Sequence, residues 1–192
     1  MNRLIEVVVT RLHRKKAEYL YGLVGRYLKK GMRIMDLGCG SGVFTKKLID
    51  MGYEITPVDV VRKLKIDGVE EIIYDGKKLP FKDKEFGQVM MVTVLHHVPH
   101  FRELLREVAR VSREIIIVED TYENGWDKFW TQVWDSILNL EFWGHPHNNL
   151  MDWEWRKIFA EEGIGVLDSK KGTIKELVYG FKQVAYLLKV LI

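Results

Sequence analysis

The chain has a single cysteine, Cys39, among 192 residues. No internal disulfide can form, and a reducing cytoplasm is the expected setting. Long hydrophobic runs are missing too. The run Val7–Val9, set among Arg3, Arg11 and Arg14, is too short for a signal-peptide core or a membrane span. Neither sign of charge dominates. Lys and Arg number 30 against 27 Asp and Glu, a net charge of +3, with no basic run of the kind that marks a nucleic-acid arm. Amides are scarce, at five Asn and three Gln, which suits a heat-adapted protein. No linker, repeat or low-complexity tract breaks the chain. What remains is a globular composition, 47% hydrophobic and 30% charged, at a length suited to one domain with one core over 1–192.

The most informative segment is Arg33-Ile-Met-Asp-Leu-Gly-Cys-Gly-Ser-Gly42. Ile34, Met35 and Leu37 read as the end of a buried strand. Gly38, Gly40 and Gly42 then allow a turn tight enough for a ligand to reach backbone N–H groups. An apolar-periodic helix starts near Thr45, with its N-terminal dipole toward the same spot. Cys39 inside this turn is expected to be a small packing residue, not a redox centre. Further along, Glu54–Asp59 reads as a second strand ending on Asp59. A carboxylate there can accept hydrogen bonds from both hydroxyls of a ribose.

Strands and helices alternate through the next stretch. Short strands are expected at Glu71–Tyr74, Gln88–Val94 and Glu114–Val118, with a helix over Phe101–Val111. A helical stripe precedes them over Ala17–Leu28. This order predicts an α/β, Rossmann-like, doubly wound sheet, mostly parallel. Two more strands are expected at Gly165–Ser169 and Gln183–Val190, separated by a loop and a short helical stretch. Only Val60–Glu70 joins the second and third strands, so the crossover helix there should be short or absent.

The Asp-x-Gly-x-Gly-x-Gly form resembles the first motif of class I S-adenosylmethionine (SAM) methyltransferases. Val43 stands where a dinucleotide fingerprint would want its third glycine or an alanine. Asp75-Gly76, Leu79-Pro80-Phe81 and Phe86 are similar to the acidic-Gly, Leu-Pro-Phe, Phe-Asp pattern of the small-molecule branch, the methyltransferase type 11-like proteins. Leu95-His96-His97 after the fourth strand is also common there. The chain departs at Gly87, where the family usually has aspartate, and at Ser112-Arg113, in place of a Pro-Gly-Gly turn. The resemblance implies a seven-stranded sheet with an antiparallel C-terminal strand and SAM as cofactor. It implies cofactor contacts at Asp36, Gly38, Cys39, Gly40, Asp59 and Val60. It further implies that Asp75 accepts from the adenine amino group, that Gly76 N–H donates to the ring, and that backbone near Met91 and His96 holds the methionine part.

His96 and His97 are candidate general bases, because neutral imidazole takes a proton near pH 7. The alternative is that one packs against the cofactor and the other caps a helix. A metal site is not expected, since His96, His97 and His100 lack carboxylates at ligand spacing. All six tryptophans fall between Trp126 and Trp155, mostly in an insert at about 121–150. Trp126, Trp130 and Trp134 lie four apart on one helical stripe, continued by Ile137, Leu138 and Phe142. With Asp120 and His145, Trp126 and Trp130 are candidate acceptor contacts. The stripe reads as an aromatic pocket wall or lid, as ordinary core, or as a membrane-surface helix that Asp127, Asp135 and Glu141 would keep off anionic lipid.

These features point to methyl transfer from SAM to a small molecule, with neither nucleic acid nor membrane as partner. Met91-Val92-Thr93-Val94 is unlike the Asn/Asp-Pro-Pro-Tyr/Phe motif of amino-group methyltransferases acting on adenine or glutamine. Metal-dependent catechol methylation wants an aspartate at that strand end. Two alternatives stay open at this point: a SAM-binding protein without methyl transfer, and a nicotinamide-dependent oxidoreductase.

Overall fold

Apolar side chains alternate along the central strands and divide the sheet into two buried faces. The computed structural model describes residues 3–64, 66–130, 133, 149–176 and 179–191, with backbone alone for 3–13, 175–176 and 179. Its elements are α1 (Arg3–Val24), β1 (Arg33–Leu37), α2 (Val43–Asp50), β2 (Glu54–Asp59), β3 (Ile72–Ile73), β4 (Phe86–Val92), α3 (Phe101–Val111), β5 (Ser112–Thr121), α4 (Asp152–Glu161), β6 (Ile164–Glu176) and β7 (Tyr179–Val190). The strands form one seven-stranded sheet in the order β3-β2-β1-β4-β5-β7-β6. Strands β1 to β5 pair in parallel, and β7 runs antiparallel to both β5 and β6. The expected Rossmann-like sheet with one antiparallel C-terminal strand is the observed one.

On one face, Ile34, Met90, Ile116, Val118 and Ala185 pack against Ala17, Leu20, Leu23 and Val24 of α1 and Phe44 and Leu48 of α2. On the other, Met35, Leu37, Val89, Met91, Ile115 and Ile117 meet Leu104, Leu105 and Val108 of α3 and Trp155 and Phe159 of α4. The polar side of α3 is tied to the end of α4, where Arg102 and Arg106 both reach Glu162, at 2.9 and 2.7 Å. The sheet order reverses between β1 and β4, and a ligand crevice opens at such a switch point.

Several expectations need correction. The last two strands are not separated by a helical stretch. Their pairing runs continuously from Ile164↔Val190 to Glu176↔Tyr179. The polar run Lys170-Lys171-Gly172 reads as a loop in sequence, yet β6 is an edge strand. Lysines and a bulge, here between Val166 and Asp168, are how such edges are protected. Helix α1 starts at Arg3, well before the apolar stripe, because the β-branched run Val7–Val9 masks the helical signal of its neighbours. Trp153 and Trp155 belong to α4, outside the aromatic insert, and Trp155 is wholly buried, stacked 6.0 Å from Phe159. At Gly87 a Cβ would stand 3.0 Å from Met32, so a side chain there requires Met32 to shift. Strand β5 follows α3 directly at Ser112, whose hydroxyl donates to the Val108 carbonyl at 2.8 Å, so no Pro-Gly-Gly turn is needed. Between β2 and β3 the described residues contain no helix, as the short connection predicts. Among the described residues, no helix is long and apolar enough to cross a membrane.

Candidate functional site

The loop after β1 is stapled to the end of β2. Gly38 and Cys39 N–H groups donate to the Val58 carbonyl at 2.8 and 3.3 Å, and Gly42 N–H donates back to the Cys39 carbonyl at 3.0 Å. Gly38 and Gly40 have φ of 79° and 54°, a left-handed backbone that favours glycine. Their surroundings differ. A Cβ on Gly38 would stand 2.5 Å from Val94, which closes that side, whereas one on Gly40 would meet nothing within 4 Å. The open approach to the loop is therefore at Gly40. Asp59 lies at this opening, its Oδ2 accepting from Gly40 N–H at 2.9 Å and its Oδ1 from Val60 N–H at 2.7 Å.

Asp36 sits beneath the loop rather than in the opening. It is buried and accepts the Thr45 hydroxyl at 2.5 Å, which ties β1 to the first turn of α2. Burial pushes its carboxyl up to about 6; the Thr45 hydrogen bond opposes that rise and the nearby Asp59 adds to it. Cys39 is pushed up to about 12, by burial first and then by Asp36, Asp59 and Glu71 around it.

Glu71 was not a sequence candidate. It is buried, accepts Leu64 N–H at 3.1 Å, and stands 3.9 Å from Cys39 Sγ. This carboxylate pins the 60–70 connection over the glycine loop. A hydrophilic residue opening a strand carries no sequence signal for that role.

Val60 is 49% exposed beside the opening, and a Cβ on Gly76 would stand 3.5 Å from it. Val60, Gly76 and Asp75 thus share one edge of the crevice. Asp75 Oδ1 accepts from Lys77 and Lys78 N–H groups, both at 2.9 Å, and these bonds hold the carboxyl below its usual range. Leu79, an apolar residue of the same segment, is instead buried in the core.

At the end of β4, Met91 is wholly buried in the core. Thr93 follows with φ 54°, uncommon for a β-branched residue, its N–H donating to the Val118 carbonyl at 2.7 Å. A single 3-10 turn over Leu95–His97 comes next. The buried Glu119 of β5 organises that turn. Its Oε1 accepts Val94 and Leu95 N–H groups at 3.1 and 2.8 Å, and its Oε2 lies 2.6 Å from His96 Nδ1. A carboxylate only accepts, so His96 Nδ1 is the donor in this contact. The half-buried His97 ring lies 4.0 Å from that of His96, tilted by 44°. The partnership of Glu119 with His96 depends on the β4–β5 pairing.

Asp120, next in sequence, faces the opposite side, toward α1. It is buried and accepts Gln183 Nε2 at 2.8 Å. The helical residues 125–130 begin behind an Asn124 cap and are held to β7 by Lys182, which reaches Glu123 and Asp127 at 2.8 and 2.7 Å. Trp126 and Trp130 are 75% and 42% exposed, which removes the core reading for this part of the stripe. His145, with Trp134, Ile137, Leu138 and Phe142, lies outside the described residues.

Residues 35–115, which carry the glycine loop, Asp59, Asp75 and the His96 turn, match the family model described as a methyltransferase domain. Over these residues the chain is similar to a methyltransferase domain, and its fold is that of solved S-adenosylmethionine-dependent methyltransferases. The chain is 32% identical over 90 residues to a demethylmenaquinone methyltransferase of Corynebacterium glutamicum, covering 45% of this chain and 39% of that protein. The match thus spans about two fifths of that relative's length. A SAM-dependent methyltransferase from Methanosarcina mazei superposes with a TM-score of 0.70 at 17% identity, covering 88% of this chain and 97% of the other. Magnesium protoporphyrin IX methyltransferase from Synechocystis, solved with bound S-adenosylhomocysteine (SAH), gives 0.61 at 17% identity, covering 98% and 88%. The donor set fits the cofactor of such a domain. The space at Gly40 is open, a carboxylate able to accept from a vicinal diol borders it, and an exposed valine offers an apolar edge.

Proposed function

We propose that this protein transfers a methyl group from SAM to a small-molecule acceptor. The observation that carries the reading is the open approach at Gly40, bordered by Asp59 and lying at the switch point beside the His96 turn. Bound SAM supplies an electrophilic methyl group on a sulfonium centre. In this reading Asp59 accepts from the ribose hydroxyls, with Gly38, Cys39 and Gly40 offering backbone at the loop. Asp36 fixes the loop from below. Val60 packs on the adenine, Asp75 accepts from its amino group, and Gly76 N–H donates to the ring. Backbone near Met91 and His96 lines the methionine end.

His96 acts as the base where an acceptor must lose a proton, oriented through Nδ1 by Glu119, and His97 packs against it. Asp120, Trp126 and Trp130 contribute to the acceptor side. The alignment of donor and acceptor and the exclusion of water carry most of the rate. The demethylmenaquinone relative, whose name gives a small organic acceptor, supports this class.

The test is incubation of the purified protein with methyl-labelled SAM and, in separate arms, a small-metabolite extract and total RNA. Label recovered in a low-molecular-weight product supports the proposal. Label in RNA overturns the acceptor class. SAM bound in calorimetry with no label leaving it in either arm makes the protein a SAM binder without transfer.

A further inference from the structure

Helix α1 runs against the direction of β5. Just past its last turn, the Tyr27 carbonyl accepts Gln88 Nε2 at 2.8 Å, beside the start of β4, and Lys29 Nζ meets Glu114 at 2.6 Å, beside the start of β5. Tyr19, further back along α1, stands over Gly172, where a Cβ would come within 2.7 Å of its Oη. Gly172 pairs with Gln183, and Gln183 with Asp120 at the carboxyl end of β5. The residues of α1 before Tyr19 therefore lie at the carboxyl end of the sheet. So do the helical residues 125–130, which follow the end of β5 at Thr121. Strands β1 and β2 deliver Gly40 and Asp59 to the same end.

Two surface features occupy that end. The first is aromatic. Trp126, Phe129 and Trp130 are 75%, 53% and 42% exposed, and their i, i+3, i+4 spacing sets them on one helical face. Large aromatic side chains grouped in water mark a contact surface. The second is basic. Arg3–Lys16 holds five Lys or Arg against one acid, Glu6. Of these, Arg14, Lys15 and Lys16 are exposed, and successive helical residues point about 100° apart, so cations take up more than half the circumference there.

The acids nearby do not cancel this charge. Glu18 is held by Lys47 at 2.6 Å, and Glu123 and Asp127 share Lys182 at 2.8 and 2.7 Å. Asp127, expected from the sequence to keep this segment off anionic lipid, is thus engaged by a cation; Asp135 and Glu141 lie outside the described residues. Lys128, over the Tyr122 ring at 5.2 Å, adds a further positive charge beside the aromatic face. Tryptophan flanked by Lys and Arg suits the headgroup layer of a bilayer, where the ring is sheltered and the indole N–H stays hydrated. Anionic headgroups supply the counter-charge.

We propose that the carboxyl end of the sheet docks on an anionic lipid bilayer. Trp126, Phe129 and Trp130 enter the headgroup layer, and Arg14 and Lys15 are drawn to the lipid phosphates. This is peripheral binding, and it does not rest on the methyl-transfer reading above.

The experiment sediments the full chain with phosphatidylcholine vesicles, with and without phosphatidylglycerol. The expected result is binding at least about tenfold tighter to the vesicles that contain phosphatidylglycerol, weakening as salt is raised. Lipid brominated on its acyl chains should quench the tryptophan emission of the wild type. Trp126→Ala combined with Phe129→Ala should weaken binding at least about tenfold. Arg14→Glu combined with Lys15→Glu should also weaken it at least about tenfold and remove the preference for phosphatidylglycerol. All four side chains are exposed, so both variants should match the wild type in circular dichroism. No binding to the phosphatidylglycerol vesicles, equal binding to both compositions, no quenching, or binding untouched in either folded variant overturns the proposal. So does a dimer seen in sedimentation equilibrium that Trp126→Ala with Phe129→Ala dissolves while no vesicle binds, because the aromatic face then meets a second copy of the chain.

Discussion

Glu119 Oε2 stands 2.6 Å from His96 Nδ1, with both side chains wholly buried. The same carboxylate holds Val94 and Leu95 N–H groups, so a single residue of β5 sets both the turn after β4 and the orientation of its histidine. Glu119→Ala should destabilise the fold by about 3–5 kcal/mol, because it strands three buried donors. Glu119→Gln keeps an acceptor and should fold. It should lower kcat about ten- to a hundredfold while SAM affinity barely changes. Urea denaturation and initial rates on both variants read these effects. A kcat for Glu119→Gln equal to wild type would remove His96 from the chemistry.

Asp59 borders the open side of the glycine loop. Asp59→Ala should weaken SAM by about 1.5–3 kcal/mol, the range of a lost charged hydrogen bond. Calorimetry reads the affinity and circular dichroism the fold. An intact variant that binds SAM as tightly as wild type would remove Asp59 as the ribose anchor.

Asp75 has two tasks that substitution separates. Asp75→Asn retains an acceptor for Lys77 and Lys78 N–H groups, whereas Asp75→Ala loses the turn and the adenine acceptor together. SAM affinity should fall less for Asn than for Ala. Negligible losses in both would leave the adenine to apolar contact, with Val60 as the available side chain because Leu79 is buried.

Asp36 makes stability depend on pH in an unusual direction. Its carboxyl rises from 3.8 to about 6 on folding, so the native state binds the proton more tightly than the unfolded chain. Its favourable contribution is complete below pH 3.8 and is lost as pH rises through about 6. Asp36→Asn should therefore raise Tm relative to wild type more at pH 8 than at pH 4. Parallel Tm shifts across that range would contradict the raised carboxyl.

Among the described residues, the tryptophans divide into a buried Trp155 and exposed Trp126, Trp130 and Trp153. Trp155→Ala should cost about 3–5 kcal/mol, as for a large core side chain. Trp130→Ala, at a 42% exposed position, should leave Tm nearly unchanged and SAM affinity intact while slowing acceptor turnover. Melting curves and steady-state rates separate the two. Wild-type turnover in Trp130→Ala would take the exposed stripe out of the acceptor site.

Much of the fold was legible because its signals are short-range. Strand β2 and helix α3 appear where their periodicity puts them, and the glycine turn is encoded in the spacing of three residues. Asp59 could be placed at the mouth of the turn because a strand end and a glycine loop are both local patterns. The C-terminal hairpin was less legible, because an edge strand carries lysines and glycine that read as loop.

By itself, then, the sequence determined the alternation of strands and helices, the tight turn at Gly38–Gly42 and the carboxylate that ends β2. All of these follow from backbone sterics and hydrophobic period over a few residues. The tertiary structure alone decided the partnerships. Strand order brought Glu119 to His96, and the collapse of the 60–70 connection brought Glu71 to Cys39. The β5–β7–β6 register brought Asp120, Gln183 and Gly172 into one row beneath Tyr19. Which face of a sheet a side chain takes depends on strand phase, and which residue it meets depends on strand order. Neither is written in local spacing.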